Sequence, residues 1–280
     1  MDIEIHQIAY SPETLARVDP GFRVLDNLAN SRPDWWEYWP VRRFLRENAL
    51  RDDTFHGFLS PRFRDKTGLS AAQVHEFVAS AAADADVVTF SPQVDMGAFF
   101  LNLFEQNELF DPGFTEASQA FFDAIGYPVD LGNLMMDSRQ VVISNYFVAR
   151  QPFWSAWLAI NERLFDICEG ADSSLKSKLT APTSYRNGTQ RKVFLSERIA
   201  SVLLATQPEW RVRAFNPYGL AWSASRLNQF PHEAVLSDAL KIAARETGHP
   251  QYLAAFAQVR RRLQQGDSVR ATDSSQGVPG

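Results

Sequence analysis

Cysteine, long apolar runs and lysine are scarce in this chain, and the first two scarcities each exclude a class of protein. The single cysteine, Cys168, excludes a fold held together by disulfides. No apolar stretch approaches the length that spans a bilayer. Residues 1–6 lack the basic segment and the apolar run of a secretory signal peptide. We therefore expect a cytoplasmic protein without a transmembrane segment.

Charge of one sign is also lacking. The formal net charge of −5 is small for 280 residues and disfavours a protein whose main task is to coat nucleic acid. Five of the 28 basic residues are lysines, and the others are arginines. This excess of arginine has two interpretations. It is either a coding bias or a supply of side chains that bind phosphate with two parallel hydrogen bonds.

Apolar side chains are plentiful, at 45% of the residues, which is enough for one large compact domain. Short apolar stretches alternate with helical patterns, and this order predicts an α/β sheet flanked by helices. The predicted strands span 3–9, 55–59, 86–90, 141–148 and 211–215. The predicted helices span roughly 70–82, 96–107, 115–125, 151–168, 195–206, 233–246 and 250–264, with a further helix that begins near Pro40.

A basic turn follows the predicted strand 55–59. Ligands of open α/β sheets bind beyond the carboxyl ends of the strands, so Ser60 lies where a site is expected. Three cations come next, Arg62, Arg64 and Lys66. Cations fixed at such a place stabilise a diphosphate leaving group, and Arg62 is the candidate for this role. A solvated run of charge is the alternative.

Asp26 and Asn27 precede a dense aromatic cluster at residues 35–39. Carboxylate and amide groups beside aromatic rings suit the ribose and base of a nucleotide. The alternative is a turn followed by aromatic residues of the core. Within this segment, the spacing of Asp34 and Glu37 predicts a capping box at a helix start.

Polar residues interrupt the apolar run 141–148 at Ser144, Asn145 and Tyr146. Buried amides and hydroxyls must form hydrogen bonds, either with the protein or with a ligand. Asn145 and Tyr146 are therefore candidates to orient a sugar.

Glu197 and Arg198 stand near the predicted start of helix 195–206, whose apolar stripe points elsewhere. A carboxylate at that end of a helix is stabilised by the helix dipole, so an ordinary first-turn glutamate is one interpretation. If the helix start faces a cleft, Glu197 is instead placed to accept a proton from a reacting hydroxyl.

A D-x-D triplet, Asp84-Ala85-Asp86, precedes the predicted strand 86–90. Many glycosyltransferases hold a divalent metal with such a pair. A metal-holding pair should lie at the exit of the strand, so we interpret the triplet as the end of a helix. The sequence therefore supports no metal site.

Taken in order, these segments resemble a bacterial family of capsular-polysaccharide-synthesis glycosyltransferases with a GT-A-like fold. The similarity runs roughly from residue 3 to 217, and no single motif carries it. The matching segments are 20–25, 53–58, 86–88, 145–148 and, most specifically, 194–198. The chain departs from the family at residues 9–11, 60–62 and 105–106, where histidine-containing runs are usual.

The resemblance implies a Rossmann-like mixed sheet and an enzyme that moves a sugar from a nucleotide-diphosphate donor, a UDP- or GDP-sugar, to a surface polysaccharide or other glycan acceptor. The resemblance does not decide whether the enzyme requires a divalent metal. Inversion follows if Glu197 is the base. The implied catalytic residues are Glu197, Arg198 and Arg62, and the implied donor-binding residues are Asp26, Asn27, Ser60, Asn145 and Tyr146.

The resemblance also sets the expected domain limits. We expect a glycosyltransferase domain over residues 1–230 and a helical appendage over 231–265. Residues 266–280 are rich in Ser, Asp, Gln and Gly, which predicts a disordered tail. The arginines at 260–262 either contact an acidic membrane surface that carries a lipid-linked acceptor or form a solvated helix face.

Two other function classes stay open. A glycoside hydrolase would use a pair of carboxylates such as Glu105 and Glu197, about 5–10 Å apart across a sugar-sized groove. A non-catalytic module would stack sugars on the aromatic cluster at residues 35–39 or dock a partner there. Nucleotide binding separates the transferase from both.

Overall fold

A mixed sheet of six strands forms the centre of the computed structural model, which describes residues 2–185 and 188–274, with side chains up to Gln264. The spatial order is β2-β1-β3-β5-β4-β6, and only β5 runs against its neighbours. The strands are β1 (Asp2–Ala9), β2 (Arg23–Asp26), β3 (Thr54–Leu59), β4 (Val87–Thr89), β5 (Phe147–Arg150) and β6 (Val212–Ala214).

Helices flank this sheet, so the predicted α/β class is confirmed. No helix in the described ranges is long and apolar enough to cross a membrane. The helices are α1 (Pro12–Ala16), α2 (Tyr38–Glu47), α3 (Phe63–Thr67), α4 (Ala71–Ala81), α5 (Asp95–Ala98), α6 (Leu103–Glu108), α7 (Phe114–Ala124), α8 (Gln151–Glu169), α9 (Ser174–Leu179), α10 (Arg191–Thr206), α11 (Pro231–Thr247) and α12 (Pro250–Ser274).

Each face of the sheet has its own apolar core, because successive side chains of a strand point to opposite faces. Phe147 and its β3 neighbour Phe58 pack on one face against Trp154 of α8, and the Trp154 ring stacks on Phe147 at 4.4 Å. Val148 packs on the other face with the buried residues of α4. Each core includes buried residues of the central strands β3, β4 and β5, so packing on both faces holds these strands in place.

The reversed direction of β5 brings its first residues to the edge where the parallel strands end. Phe147 lies opposite Thr89, the last residue of β4. The next strand along, β3, ends at Leu59, and Ser60 follows it. The hydroxyl groups of Ser60 and Tyr146 lie 2.6 Å apart and form a buried hydrogen bond across this edge. The carboxyl edge of the sheet is therefore also the place where the segment before β5 enters.

The prediction of a strand over residues 141–148 is wrong for most of that segment. Only Phe147 and Val148 belong to β5, and the residues before them form a turn. Ser144 and Asn145 have φ angles of 62° and 54°, a left-handed conformation that a strand cannot contain. The apolar residues Val141 and Val142 misled the prediction because buried loop residues have the same composition as a strand.

Helix α10 begins at Arg191, one turn earlier than predicted, so Glu197 lies in its second turn and is not a first-turn residue. The predicted capping box of Asp34 and Glu37 is also wrong. Asp34 accepts hydrogen bonds from Arg32 and Lys192, and the Glu37 side chain caps no helix. Lys192 is 158 residues from Asp34 in the chain, so the local pattern does not contain this partner.

One predicted helix is divided and another is confirmed. The span 96–107 forms two helices, α5 and α6, because the Asn102 side chain accepts the amide hydrogens of Phe104 and Glu105 and starts α6 afresh. The helix predicted from Ser70 is confirmed as α4, and Ser70 and Gln73 form both halves of its capping box.

The C-terminal helices pack on the α5–α6 segment. Lys241 of α11 is fully buried and donates hydrogen bonds to the carbonyl oxygens of Gly97 (2.8 Å) and Phe100 (2.9 Å). Asp238 on the same helix accepts the amide hydrogen of Ser138 at 2.7 Å. Helix α12 continues through Ser274, where we expected an irregular tail from residue 266, and residues 275–280 lie outside the described residues.

We predict that Lys241→Met lowers the free energy of unfolding by about 1–3 kcal/mol, since two buried carbonyls lose their donor. Urea unfolding of the purified chain measures the change. The control is His232→Ala on the exposed surface of the same helix, which should stay within about 0.5 kcal/mol of the wild type. Equal stability of Lys241→Met and the wild type would contradict the structural role of this lysine.

Candidate active site

Two adjoining cavities open along the carboxyl edge of the sheet. The central cavity, of about 410 Å³, lies over the ends of β3 and β5 and reaches α10. The adjoining cavity, of about 580 Å³, lies beside the end of β1. The two share a wall, to which Trp36, Glu37, Arg62 and Thr189 contribute. Together they form one cleft at the place where α/β sheets bind ligands.

Three basic side chains face the central cavity. Arg62 is exposed in the turn after β3, and Lys66 projects from α3, one turn further on. Arg198 comes from α10 on the opposite side. Because the three come from both sides of the cleft, the cavity is suited to an anionic group.

Arg198 is a fixed charge whose donors are engaged by the protein. Its guanidinium donates to the carbonyl oxygens of Leu103 (3.2 Å) and Phe194 (2.8 Å) and to Asn107 Oδ1 (2.8 Å). The residue is only 7% exposed, and burial lowers its pKa to about 10, an effect that nearby Glu197 opposes. Arg198 therefore acts on a ligand through its charge more than through free N–H groups.

The floor of the central cavity is a polar network with a strained backbone. The Lys66 ammonium donates to Ser144 Oγ at 2.7 Å. Tyr146, which follows the two left-handed residues Ser144 and Asn145, bonds Ser60 across the sheet edge. Left-handed non-glycine residues are uncommon and cluster at functional sites, where the surrounding structure holds them in place.

The adjoining cavity offers uncharged hydrogen-bonding groups. Tyr10 and Gln190 line it, and the Tyr10 hydroxyl and Gln190 Oε1 are buried without a hydrogen-bond partner in the described ranges. Buried polar atoms of this kind are expected to have a partner, which a ligand can supply. Trp36, in the shared wall, adds an aromatic face, and its φ angle of 44° is another left-handed backbone conformation.

Glu37 and Glu197 are two carboxylates of the central cavity that form no ion pair with any residue in the described ranges. Burial raises the pKa of Glu197, although Arg198 and Lys66 act in the opposite direction. Burial, and then the charge of Glu197, raises the pKa of Glu37 to about 7. The two groups thus influence each other across the cleft, and at neutral pH they share less than two full charges.

The residues predicted from the sequence fall into two groups. Arg62, Ser60, Glu197 and Arg198 line the central cavity, while Tyr146 lies beneath it. The structure thus brings together the turn after β3, the turn before β5 and helix α10 around one cavity.

The other three predicted residues lie away from the central cavity. Asn145 lines a small pocket behind it, with its Oδ1 atom unpartnered among the described residues. Asp26 is exposed and accepts the amide hydrogen of Leu28. Asn27 is buried beside Asn30, and of this pair only Asn30 lines the adjoining cavity.

Sequence reasoning missed the shared wall. The sequence pattern places Glu37 in a helix cap and Trp36 in the aromatic cluster. Its neighbours Trp35 and Tyr38 do pack into the core, which leaves Trp36 facing both cavities. A single sequence carries no local signal that separates Trp36 from the other rings, because the distinction depends on the bend of the backbone at this residue.

Metal-binding side chains do not gather at the cleft. Asp86 of the D-x-D triplet forms an ion pair with Arg211 at 2.8 Å, far from the exit of β4. After β4 the chain has Asp95, which is fully buried and accepts hydrogen bonds from Ser223. The described residues contain no group of three acidic, histidine or cysteine side chains that could hold a metal ion.

No protein family, curated protein or solved structure gives a significant match to this chain.

We predict a pH-dependent difference in stability between the wild type and Glu37→Gln. With a pKa raised from 4.5 to about 7, Glu37 binds a proton in the folded chain that the unfolded chain releases in this window. The wild type should therefore lose stability relative to Glu37→Gln as the pH rises through this window, by up to about 3 kcal/mol, with no further change above it.

Urea unfolding of both proteins across this pH range measures the effect. Glu76→Gln on the exposed side of α4 controls for the general loss of a carboxylate. A difference between the wild type and Glu37→Gln that stays flat with pH would mean that Glu37 titrates like an exposed carboxyl group.

Proposed function

We propose that this protein is a GT-A-like glycosyltransferase that moves a sugar from a nucleotide-diphosphate donor to a glycan acceptor. The observation that carries the proposal is the pair of adjoining cavities at the carboxyl edge, with Arg62 in their shared wall and Glu197 in the central cavity. A nucleotide sugar consists of a nucleoside, a diphosphate and a sugar in that order. In this proposal the adjoining cavity, the shared wall and the central cavity hold these three parts in the same order.

The adjoining cavity suits the nucleoside. Its unpartnered Tyr10 and Gln190 groups match the donors and acceptors of a base or ribose, and Trp36 offers a face on which a base can stack. Asp26 and Asn27 stay in this proposal as supports of the neighbouring loop, because Asn27 bonds Asn30 on the cavity wall.

The diphosphate then lies at the shared wall. Arg62 is exposed there with a planar guanidinium that binds phosphate oxygens in pairs. Lys66 and the fixed charge of Arg198 add positive potential in the central cavity. These cations are in place before the reaction, so they stabilise the negative charge that develops on the departing diphosphate without further rearrangement. The donor is a UDP- or GDP-sugar in this proposal.

The sugar and the acceptor occupy the central cavity. Glu197 accepts the proton of the acceptor hydroxyl while the acceptor oxygen bonds the anomeric carbon. The bond from that carbon to the diphosphate breaks, and its electron pair leaves with the diphosphate. A single displacement of this kind inverts the anomeric configuration. Ser60 and the turn that contains Asn145 and Tyr146 form the floor that orients the sugar.

A glycoside hydrolase is the second candidate, and one observation favours it. Glu37 and Glu197 are two carboxylates in one sugar-sized cavity, as a hydrolase requires. Glu105, which the sequence suggested as the partner of Glu197, is instead held by Arg260 at 2.5 Å. Cleavage of glycans in the absence of any nucleotide would favour this candidate.

We predict that one nucleotide of the set UDP, GDP, CDP, TDP and CMP raises the melting temperature, because a ligand selective for the folded chain stabilises it. Each is tested with and without manganese, which also measures metal dependence. Arg62→Ala should lower the affinity for that nucleotide by about ten-fold or more, since the substitution removes charge-assisted hydrogen bonds.

Arg64→Ala is the matched control for this experiment. Arg64 is an exposed arginine of the same basic turn that lines neither cavity, so its loss should leave nucleotide affinity almost unchanged. No shift with any nucleotide at millimolar concentration would overturn the transferase proposal. If both substitutions lower nucleotide affinity equally, Arg62 has no specific role in binding the diphosphate.

We predict that Glu197→Gln lowers turnover by about 10²–10⁴-fold, the usual contribution of a general base, with nucleotide affinity preserved. Release of nucleoside diphosphate from the sugar donor measures turnover, and the thermal shift measures binding. Near-normal turnover of a folded Glu197→Gln protein would remove the base assignment.

A further inference from the structure

We propose that Glu37 is a second catalytic carboxylate, which in its protonated form donates a hydrogen bond to the donor at the boundary between the two cavities while Glu197 remains ionised. The inference rests on the proposed transferase function and adds a residue and a protonation state to it. It starts from the position of Glu37, which the sequence did not mark.

The position of Glu37 is the first observation. It stands directly before α2 and contributes to the walls of the central cavity, of the adjoining cavity and of the small pocket behind them. If the nucleoside lies in one cavity and the acceptor in the other, the bond between sugar and diphosphate lies near their common wall. Glu37 and Arg62 are the charged residues common to both linings.

The surroundings of Glu37 are the second observation. Glu197 faces it from α10, Arg62 from the turn after β3 and Lys66 from α3. Two hydroxyl groups also face it, those of Tyr10 and Tyr146. No ion pair joins Glu37 to any residue of the described ranges. Two nearby carboxylates with no dedicated partner share a proton, since a like charge disfavours a second ionisation.

The proton belongs with Glu37 for two reasons. The guanidinium of Arg198, next to Glu197 in the chain and fixed by three hydrogen bonds, favours the ionised form of Glu197. A bound diphosphate would also occupy Arg62, a cation that favours an ionised Glu37 and is not among the groups that act on Glu197. Donor binding therefore strengthens the preference of Glu37 for its neutral form, whose pKa is about 7 before any ligand is bound.

The protonated carboxyl group then acts as a neutral donor in a site that otherwise contains cations. Its O–H group bonds the oxygen that leaves the anomeric carbon or a hydroxyl group of the sugar beside it. The acceptor proton goes to Glu197, and the electron pair of the broken bond goes to the diphosphate. Glu37 keeps its proton throughout, so the atoms and charges of the transfer step balance without it.

The test compares Glu37→Gln, Glu37→Ala and Glu197→Gln in donor-dependent turnover across about pH 6 to 9, with the nucleotide-sugar found in the thermal-shift panel. A glutamine amide is a neutral donor like a protonated glutamate, although a weaker one. Wild-type turnover should decline with increasing pH as Glu37 loses its proton. Glu37→Gln should be about ten-fold slower than the wild type at pH 6 and should not show this decline.

Turnover by Glu37→Ala should be lower than that of the wild type by about 10²-fold or more, because the substitution removes one preorganised hydrogen-bond donor. Glu197→Gln should stay about 10²–10⁴-fold below the wild type over the same range, because an amide cannot accept the proton. If Glu37→Gln is as inactive as Glu197→Gln at all pH values, Glu37 acts as an anion and the proposal is wrong. Wild-type turnover by folded Glu37→Ala would also overturn it.

A second readout does not depend on turnover. Infrared spectra of the free protein report the protonated carboxyl band, and the band that disappears in Glu37→Gln should titrate near pH 7. A titration near the ordinary range of a glutamate would contradict the proposal. If no nucleotide binds, the transferase function fails whatever this spectrum shows. If nucleotide binds and sugar is transferred while Glu37→Gln behaves like Glu197→Gln, only the role of Glu37 fails.

Discussion

The direction of β5 is the constraint on which the cleft depends. Because this strand alone runs against its neighbours, the turn before it reaches the same edge as the loops that follow the parallel strands. The hydrogen bond between Ser60 and Tyr146 joins the two sets of loops. A fully parallel sheet would carry Ser144 and Asn145 to the opposite edge, and the basic turn after β3 would have no polar floor beneath it.

The electrostatics of the cleft follow from how few of its charges neutralise one another. Asp111 lines the central cavity but is paired with Arg191, and Arg198 is satisfied by oxygen atoms of uncharged groups. Glu37 and Glu197 are left to share the field of the remaining cations. A partly desolvated site of this kind has large pKa shifts because each proton changes the energy of its neighbour. Such coupling is a recurrent property of sites that move protons.

The sequence predicted what depends on short-range pattern. The strands with clear alternation and helix α4 with its Ser70 cap appear where expected, since neighbours in the chain determine them. The path before β5 and the environment of Glu37 were not predictable. In both, the decisive partners are distant in sequence, and a buried loop is as apolar as a strand. Most of the residues singled out from the sequence therefore meet at one cavity, but Glu37, one of the two carboxylates there that form no ion pair in the described ranges, was not among them.

The hydrogen bonds donated by Lys241 connect helix α11 to one wall of the cleft. The carbonyl groups of Gly97 and Phe100 are held by α11, and Met96 and Leu103, which flank this stretch, line the central cavity. The C-terminal helices thus support one wall of the cleft from behind. A change in this region would move that wall while leaving Glu37, Glu197 and Arg62 in place, and so would alter the shape of the cavity separately from its charge.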